Sequence, residues 1–410
     1  MEEITLCKIG DVVNVNTAQY TPKDKWVKAL YLDTGNITEN KIDEIQEFEC
    51  SSLPSRARRK VKHGDIVYST VRPNQKHFGY ITDPASNLLV STGFAVLSPK
   101  KEYANSKFIY YWLSQNEIVE YLHTLAEQSV SAYPSIKASD ICNLEVELPS
   151  LTYQTKVADI LSSIDTKIEL NRRINDNLEQ QAQALFKSWF VDFEPFKGGK
   201  FVDSELGMIP EGWRIGKLDD VCNIVGGGTP SKARQDYYCN NGIAWITPKD
   251  LSLSKAKFTK HGEFDITKEG YENSSAKLMP KGSVLFSSRA PIGYISIANN
   301  EVCTNQGFKS LVPKLAGTCF LYCYLKEYTT IIEGQATGST FKEVSGSLMK
   351  SQLVIIPNTT IIFDNFECSV NSIFQKQNEL EAENRILTLF RDSLLPKFMS
   401  GELKINDLNS

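Results

Sequence analysis

Arginine, lysine, amide and hydroxyl side chains collect in a few short stretches of this 410-residue chain. Their chemistry is that of contacts to phosphates and base edges. The densest stretch is Arg56-Ala57-Arg58-Arg59-Lys60-Val61-Lys62-His63. Arg56, Arg58, Arg59 and Lys60 are expected either to track a phosphate backbone or to form a solvated loop face. Arg72 and Arg289 each follow a strand-like run, in Ser69-Thr70-Val71-Arg72-Pro73 and Ser287-Ser288-Arg289-Ala290-Pro291. An arginine at a strand end can project into a groove, or it can pin its own loop by a salt bridge. Thr229, Ser231, Lys232 and Arg234 form a hydroxyl-and-cation loop suited to phosphates, and Lys249 follows Pro248 in an expected turn. Asn305 and Gln306 precede Gly307; they could reach an adenine edge or shape a turn. Late in each half, Ser131, Tyr133 and Lys137 match Ser339, Thr340 and Lys342. Tyr111, Trp112, Tyr322 and Tyr324 lie on helical stretches and are expected in the core.

The same survey finds little that could break or make a covalent bond. No strand-linked G-x-G-x-x-G and no G-x-x-x-x-G-K-S/T is present, so a dinucleotide or methyl-donor pocket and ATP hydrolysis are not expected in this chain. No Asn/Asp-Pro-Pro-aromatic run is present to grip a flipped base. The four histidines have no triad-like setting, and the nine cysteines include no C-x-x-C pair, so neither nucleophilic catalysis nor a metal site is expected. Net charge is −4, so any basic surface must be local. With 41% hydrophobic and 23% charged residues, no signal-like opening and no spanning apolar run, the expectation is a cytoplasmic, reduced, globular protein.

The elements that must position these residues come in two copies. Tyr31-Leu32-Asp33, Gly79-Tyr80-Ile81 and Gly93-Phe94 recur about 214 positions later as Trp245-Ile246-Thr247, Gly293-Tyr294-Ile295 and Gly307-Phe308. Lys8-Ile9-Gly10-Asp11-Val12 matches Lys217-Leu218-Asp219-Asp220-Val221, and Leu148-Pro149 matches Ile356-Pro357. Each half opens with short alternating β-like runs and then passes into a long helix.

Those helices carry heptads. Val157, Leu161, Ile164, Ile168, Asn171, Asn175, Leu178, Ala182, Leu185 and Trp189 alternate spacings of four and three; so do Phe366, Val370, Ile373, Gln377, Leu380, Asn384 and Leu387. Such stripes need a partner helix, and each helix is the other's nearest candidate. Asn175 and Asn384 sit at equivalent positions and are expected either to pair across the seam or to face water. A helix over Gln154–Asp192 would be about 58 Å long, enough for a spacer between two heads.

Between the halves, Gly207-Met208-Ile209-Pro210-Glu211-Gly212-Trp213 reads as a turn-rich, ordered connector. This segment, followed by Gly227-Gly228-Thr229-Pro230-Ser231 and Trp245-Ile246-Thr247-Pro248-Lys249-Asp250-Leu251, resembles Type I restriction–modification specificity subunits. So do Gln181-Ala182-Gln183-Ala184-Leu185-Phe186-Lys187-Ser188-Trp189-Phe190 and the closing Leu394-Leu395-Pro396-Lys397-Phe398-Met399-Ser400-Gly401-Glu402. The first half lacks the Gly-Gly-Thr-Pro run and has Tyr31-Leu32-Asp33-Thr34-Gly35-Asn36, as fits two domains diverged to read different half-sites.

The resemblance implies an α+β fold: two β-rich α/β target recognition domains related by pseudo-two-fold symmetry and separated by two long helices packed as an antiparallel coiled coil. The expected division is 1–150 and 198–357 for the recognition domains (the latter with its connector), with 151–197 and 358–410 for the conserved helical regions. Each domain would read half of a bipartite DNA target. The helices would bind two methyltransferase subunits, and restriction/translocase subunits would join them. No cofactor is expected in this chain; S-adenosylmethionine for N6-adenine methylation, ATP and Mg²⁺ are expected in the partners. The alternative is a coiled-coil scaffold of a related defence complex without base reading of its own.

Overall fold

The computed structural model describes residues 4–129, 133–338 and 342–403. Two compact units emerge: residues 1–168 with 386–410, and residues 169–385. The division falls inside both long helices, Leu151–Phe190 and Ile361–Met399, so each unit holds a stretch of each helix.

In the first unit, Thr5–Lys8 pairs antiparallel with Glu145–Leu148 and ties the start of the domain to its end. Between them lie two four-stranded sheets. One orders Gln46–Glu49, Lys28–Leu32, Leu88–Ser91 and Ala57–Lys60; the other orders Val13–Val15, Phe94–Pro99, Ile66–Ser69 and Phe78–Tyr80. The strands of the second sheet are nearly all apolar because both faces are covered, and Ile66, Val67, Tyr68 and Phe94 through Leu97 are buried. Helix Ser106–Ser114 packs on that core. Asn105 caps it, its side chain accepting from the backbone N–H of Lys107 and Phe108.

The second unit repeats the plan. Arg214–Lys217 pairs with Leu353–Ile356 as Thr5–Lys8 does with Glu145–Leu148. Asp220 accepts from the Lys217 N–H at 3.0 Å, as Asp11 does from Lys8 at 3.0 Å. The repeated Tyr31-Leu32 and Trp245-Ile246 both lie on strands paired in parallel, with Leu89-Val90 and Cys303-Thr304 respectively. The connector forms a short antiparallel pair, Phe201–Val202 with Ile209–Pro210, and buries Ile209 and Trp213 as its anchors. Phe186, Phe190, Phe320, Phe363 and Phe366 form an aromatic knot here, with Phe320 edge-on to Phe190 and to Phe363 at 4.8 Å in both cases. Each such pair adds about 0.5–1.5 kcal/mol beyond area burial.

Within each unit the two helical stretches run antiparallel in contact. In the first, the Tyr153 hydroxyl donates to the Phe398 carbonyl at 3.2 Å and Arg391 meets Asp165 at 2.8 Å. In the second, Asn171 donates to Asn384 at 2.9 Å and Gln377 to Glu179 at 3.2 Å. The heptad residues Leu161, Ile164, Ile168, Val370 and Leu380 are buried, while Leu178, Ile373 and Leu387 are half-buried. The expected Asn175–Asn384 pair does not form: Asn384 takes its bond from Asn171, and Asn175 Oδ1 is buried without a partner. In an antiparallel pair, advancing along one helix means retreating along the other. Residues at equivalent repeat positions therefore need not meet.

Candidate nucleic-acid interface

Backbone hydrogen bonds gather the same loops in each unit. In the first, the Thr92 N–H donates to Arg56 O at 2.9 Å and the Thr70 N–H to Gly93 O at 2.8 Å. Beyond Thr70, the Arg72 N–H donates to Pro134 O at 2.9 Å and Val71 bridges Ser135. The Arg56 corner, the Gly93 turn, the Thr70–Pro73 loop and the Tyr133–Ser135 segment are thus contiguous. In the second unit, the Ser288 N–H donates to Gly307 O at 2.7 Å and the Val344 N–H to Ser288 O at 2.9 Å, while Arg289 bridges Glu343. The Gly227-Gly228 loop joins this group through N–H bonds to Phe308 O at 3.4 Å and Thr304 O at 2.9 Å.

The bridging pattern sets the two arginines at different places in their loops. Val71 occupies the place of Arg289, and Arg72 that of Ala290; Arg72 and Ala290 share positive φ, +47° and +42°, each just before a proline. Arg72 therefore sits one residue further along its loop than Arg289. Its exposed guanidinium lies over the Tyr133 ring at 5.2 Å, a cation–π contact that leaves its N–H edge available. Arg289 instead faces a carboxylate, with Nη1 3.7 Å from Glu343 Oε2.

The basic run 56–63 does not form one patch. Ala57–Lys60 is a strand, so successive side chains point to opposite faces, and the 18–20 segment bonds along its outer edge. Arg56 and Arg58 are exposed. Arg59 is half-buried, one guanidinium nitrogen has no hydrogen-bond partner, and burial pushes its pKa down. Lys60 bonds to Asp24 and lies over Trp26 at 5.0 Å.

In the second unit, Thr229 Oγ1 donates to Gln306 Oε1, and Gln306 is exposed at the tip of its turn. Asn305 turns inward: its Oδ1 accepts from the Gly307 N–H at 2.8 Å, which is the turn-shaping role. Ser231 and Lys232 are exposed. Arg234 is committed to Asp236 at 2.5 Å and Glu269 at 3.2 Å. Lys249 lies in the first turn of helix Pro248–Ser254 rather than in a free turn, and pairs with Glu263 at 2.7 Å. Lys137 and Lys342 are exposed. Ser131, Ser339 and Thr340 lie outside the described residues. Tyr111, Trp112, Tyr322 and Tyr324 are buried in the cores.

Two glycines are sterically required. A Cβ on Gly227 would fall 1.9 Å from Asn305 O, and one on Gly228 2.3 Å from Ala276 N. The loop threads between two backbones, and Trp245 holds it by donating from Nε1 to Gly228 O at 3.0 Å.

Several charged residues were missed in the sequence. Lys309 Nζ reaches Glu343 Oε1 at 3.1 Å, and the signal was a lysine in an apolar strand where the first repeat has Ala95. Glu343 itself was passed over for the adjacent Lys342. Lys257 is 6% exposed, salt-bridged to Glu179 at 2.7 Å, bonded to Gln377 at 2.7 Å and seated over Tyr322 and Phe374. Burial drives the Lys257 pKa down against the pull of Glu179. Glu381 completes this anchor by accepting from the Lys257 and Phe258 N–H groups at 2.8 and 3.2 Å. No metal-binding cluster occurs among the described residues, and none of their helices is long and apolar enough to cross a membrane.

A family model described as the Type I restriction modification DNA specificity domain matches residues 1–180 and 210–386. The HindI specificity subunit of Haemophilus influenzae is 28% identical over 96% of this chain and 98% of its own length. The MjaIX specificity subunit of Methanocaldococcus jannaschii is 28% identical over 95% and 87%. A solved S subunit of a Type I restriction–modification system from M. genitalium shares the fold, with TM-score 0.57 and 17% identity over 97% of this chain and 96% of that one. Matched by the family model in both of its repeats, this chain belongs to the Type I restriction–modification DNA specificity family.

Proposed function

We propose that this chain is the non-catalytic DNA reader of a Type I restriction–modification complex, in which each unit reads one half of a bipartite target. The observation that carries the reading is the repeated loop cluster. In both units the same backbone bonds gather a strand-end loop, a glycine turn and a late segment; the first cluster carries Arg56 and Arg72, the second Arg289 and Gln306. Divergent side chains on one scaffold are what two different half-sites require. The helices act as an antiparallel coiled-coil spacer that fixes the gap between the half-sites and carries two methyltransferase subunits. Restriction/translocase subunits then join, and the partners bring S-adenosylmethionine, ATP and Mg²⁺.

The test is to express the chain with its methyltransferase partner and map N6-methyladenine in the host DNA. The expected result is a split motif with two defined halves and a fixed gap, of which exchanging residues 1–150 changes one half only. A stable complex that leaves DNA unmethylated would favour a scaffold without base reading.

A further inference from the structure

Glu343 holds two cations at once. Its Oε2 lies 3.7 Å from Arg289 Nη1 and its Oε1 3.1 Å from Lys309 Nζ, which also faces Ser288 Oγ at 3.4 Å. The Lys309 side chain is only 15% exposed, whereas those of Glu343 and Arg289 are 39% and 38% exposed. The carboxylate thus covers a sunken ammonium from the solvent side. Its backbone is pinned: Glu343 and Thr337 exchange N–H···O bonds of 2.8 and 3.3 Å. Only the side chain is free to swing away.

The first unit has no counterpart. Ser135 takes the bridging place of Glu343, Val71 that of Arg289, and Ala95 that of Lys309. The second unit therefore carries all three charges at a position where the first carries none. A carboxylate with one oxygen on each of two cations imitates the two non-bridging oxygens of a phosphodiester.

We propose that Glu343 is a specificity-determining residue that stands in for a DNA phosphate on Arg289 and Lys309 in the free protein. This rests on the reading of the second unit as a DNA-recognition domain. A phosphate can take the two cations only after the carboxylate leaves. Random DNA offers the displaced carboxylate no partner and leaves the contact closed, whereas the correct half-site opens it by offering that carboxylate a base-edge N–H donor. The charge that weakens loose binding sharpens the choice of sequence.

The experiment compares the wild-type complex of the full chain and its methyltransferase partner with Glu343→Gln. The probes are a duplex carrying the mapped target and an equal-length duplex lacking it, over a salt series. Glu343→Gln should bind the non-target duplex roughly two- to fivefold more tightly, the span of one exposed ion pair. Its log-affinity should fall with log salt more steeply by about 0.9, one added phosphate contact. Target affinity should gain less, so the specificity ratio drops. Ser135→Glu in the first unit adds an acid at the equivalent place and should weaken non-target binding there. If wild type prefers its target but both variants leave non-target affinity and salt slope unchanged, the inference is overturned while the reading of the domain stands. If wild type shows no preference, both fall.

Discussion

The loop clusters of the two units share a backbone and differ in how their cations are held. In the first, Arg72 rests on an aromatic ring and keeps its charge available to solvent. In the second, Arg289, Lys309, Arg234 and Lys249 all face carboxylates. A basic residue in a sequence is thus not yet a phosphate contact. What decides is whether an acid from elsewhere in the fold has reached it first. The anchors of the clusters differ too. In the second unit Lys257 is sunk against the helical stretches on Glu179 and Gln377, while the first unit's Arg391–Asp165 pair is about a quarter exposed at both ends.

The largest break in this comparison should come from the anchor. Glu179→Ala leaves the Lys257 ammonium buried without its counter-charge, at a cost of about 3–5 kcal/mol. Asp165→Ala in the first unit should cost less, because water reaches Arg391. Denaturant unfolding followed by hydrogen exchange, unit by unit, measures both; equal losses would refute the contrast.

Gly228→Ala comes next. The added methyl collides with the backbone of Ser275 and Ala276, an overpacking cost of about 1–3 kcal/mol. Methylation maps should show the second half-site degraded and the first intact. Arg72→Ala acts in the other direction: it should cost about 1–3 kcal/mol in binding and relax one position of the first half-site. Arg289→Ala should cost less, since that guanidinium must give up Glu343 before it reaches DNA. Duplexes substituted in one half at a time separate the two. Smallest of all is Lys249→Gln. It removes an exposed pair with Glu263 worth about 0.2–1 kcal/mol, and target affinity by titration should barely move.

The architecture was legible because it is periodic. Heptads at Leu161, Ile164, Ile168, Val370 and Leu380 follow from helix geometry alone, and these residues are buried as the spacing demands. The paired Tyr31-Leu32 and Trp245-Ile246 strands were legible as repeats, and both form the same parallel pairing. The site was less legible. Arg72 and Arg289 each follow a strand-like run in the sequence, but only the bridges to Ser135 and Glu343 show which backbone place each one holds. The stretch from Arg56 to Lys60 reads as a patch and folds as a strand, because alternation along an extended chain splits any run of charges between two faces.

The sequence by itself determined the two-fold repeat, the helices and the family, since these depend on spacing along the chain and on short local motifs. Only the tertiary structure decided which cations remain free, that Asn384 meets Asn171, and that Lys257 is an anchor rather than a surface lysine. Those outcomes depend on carboxylates and amides brought from distant positions: Glu343 to Arg289 and Lys309, Glu179 to Lys257, Asn171 to Asn384. Pair electrostatics and hydrogen bonding act over a few ångströms of space, and separation along the chain carries no record of them.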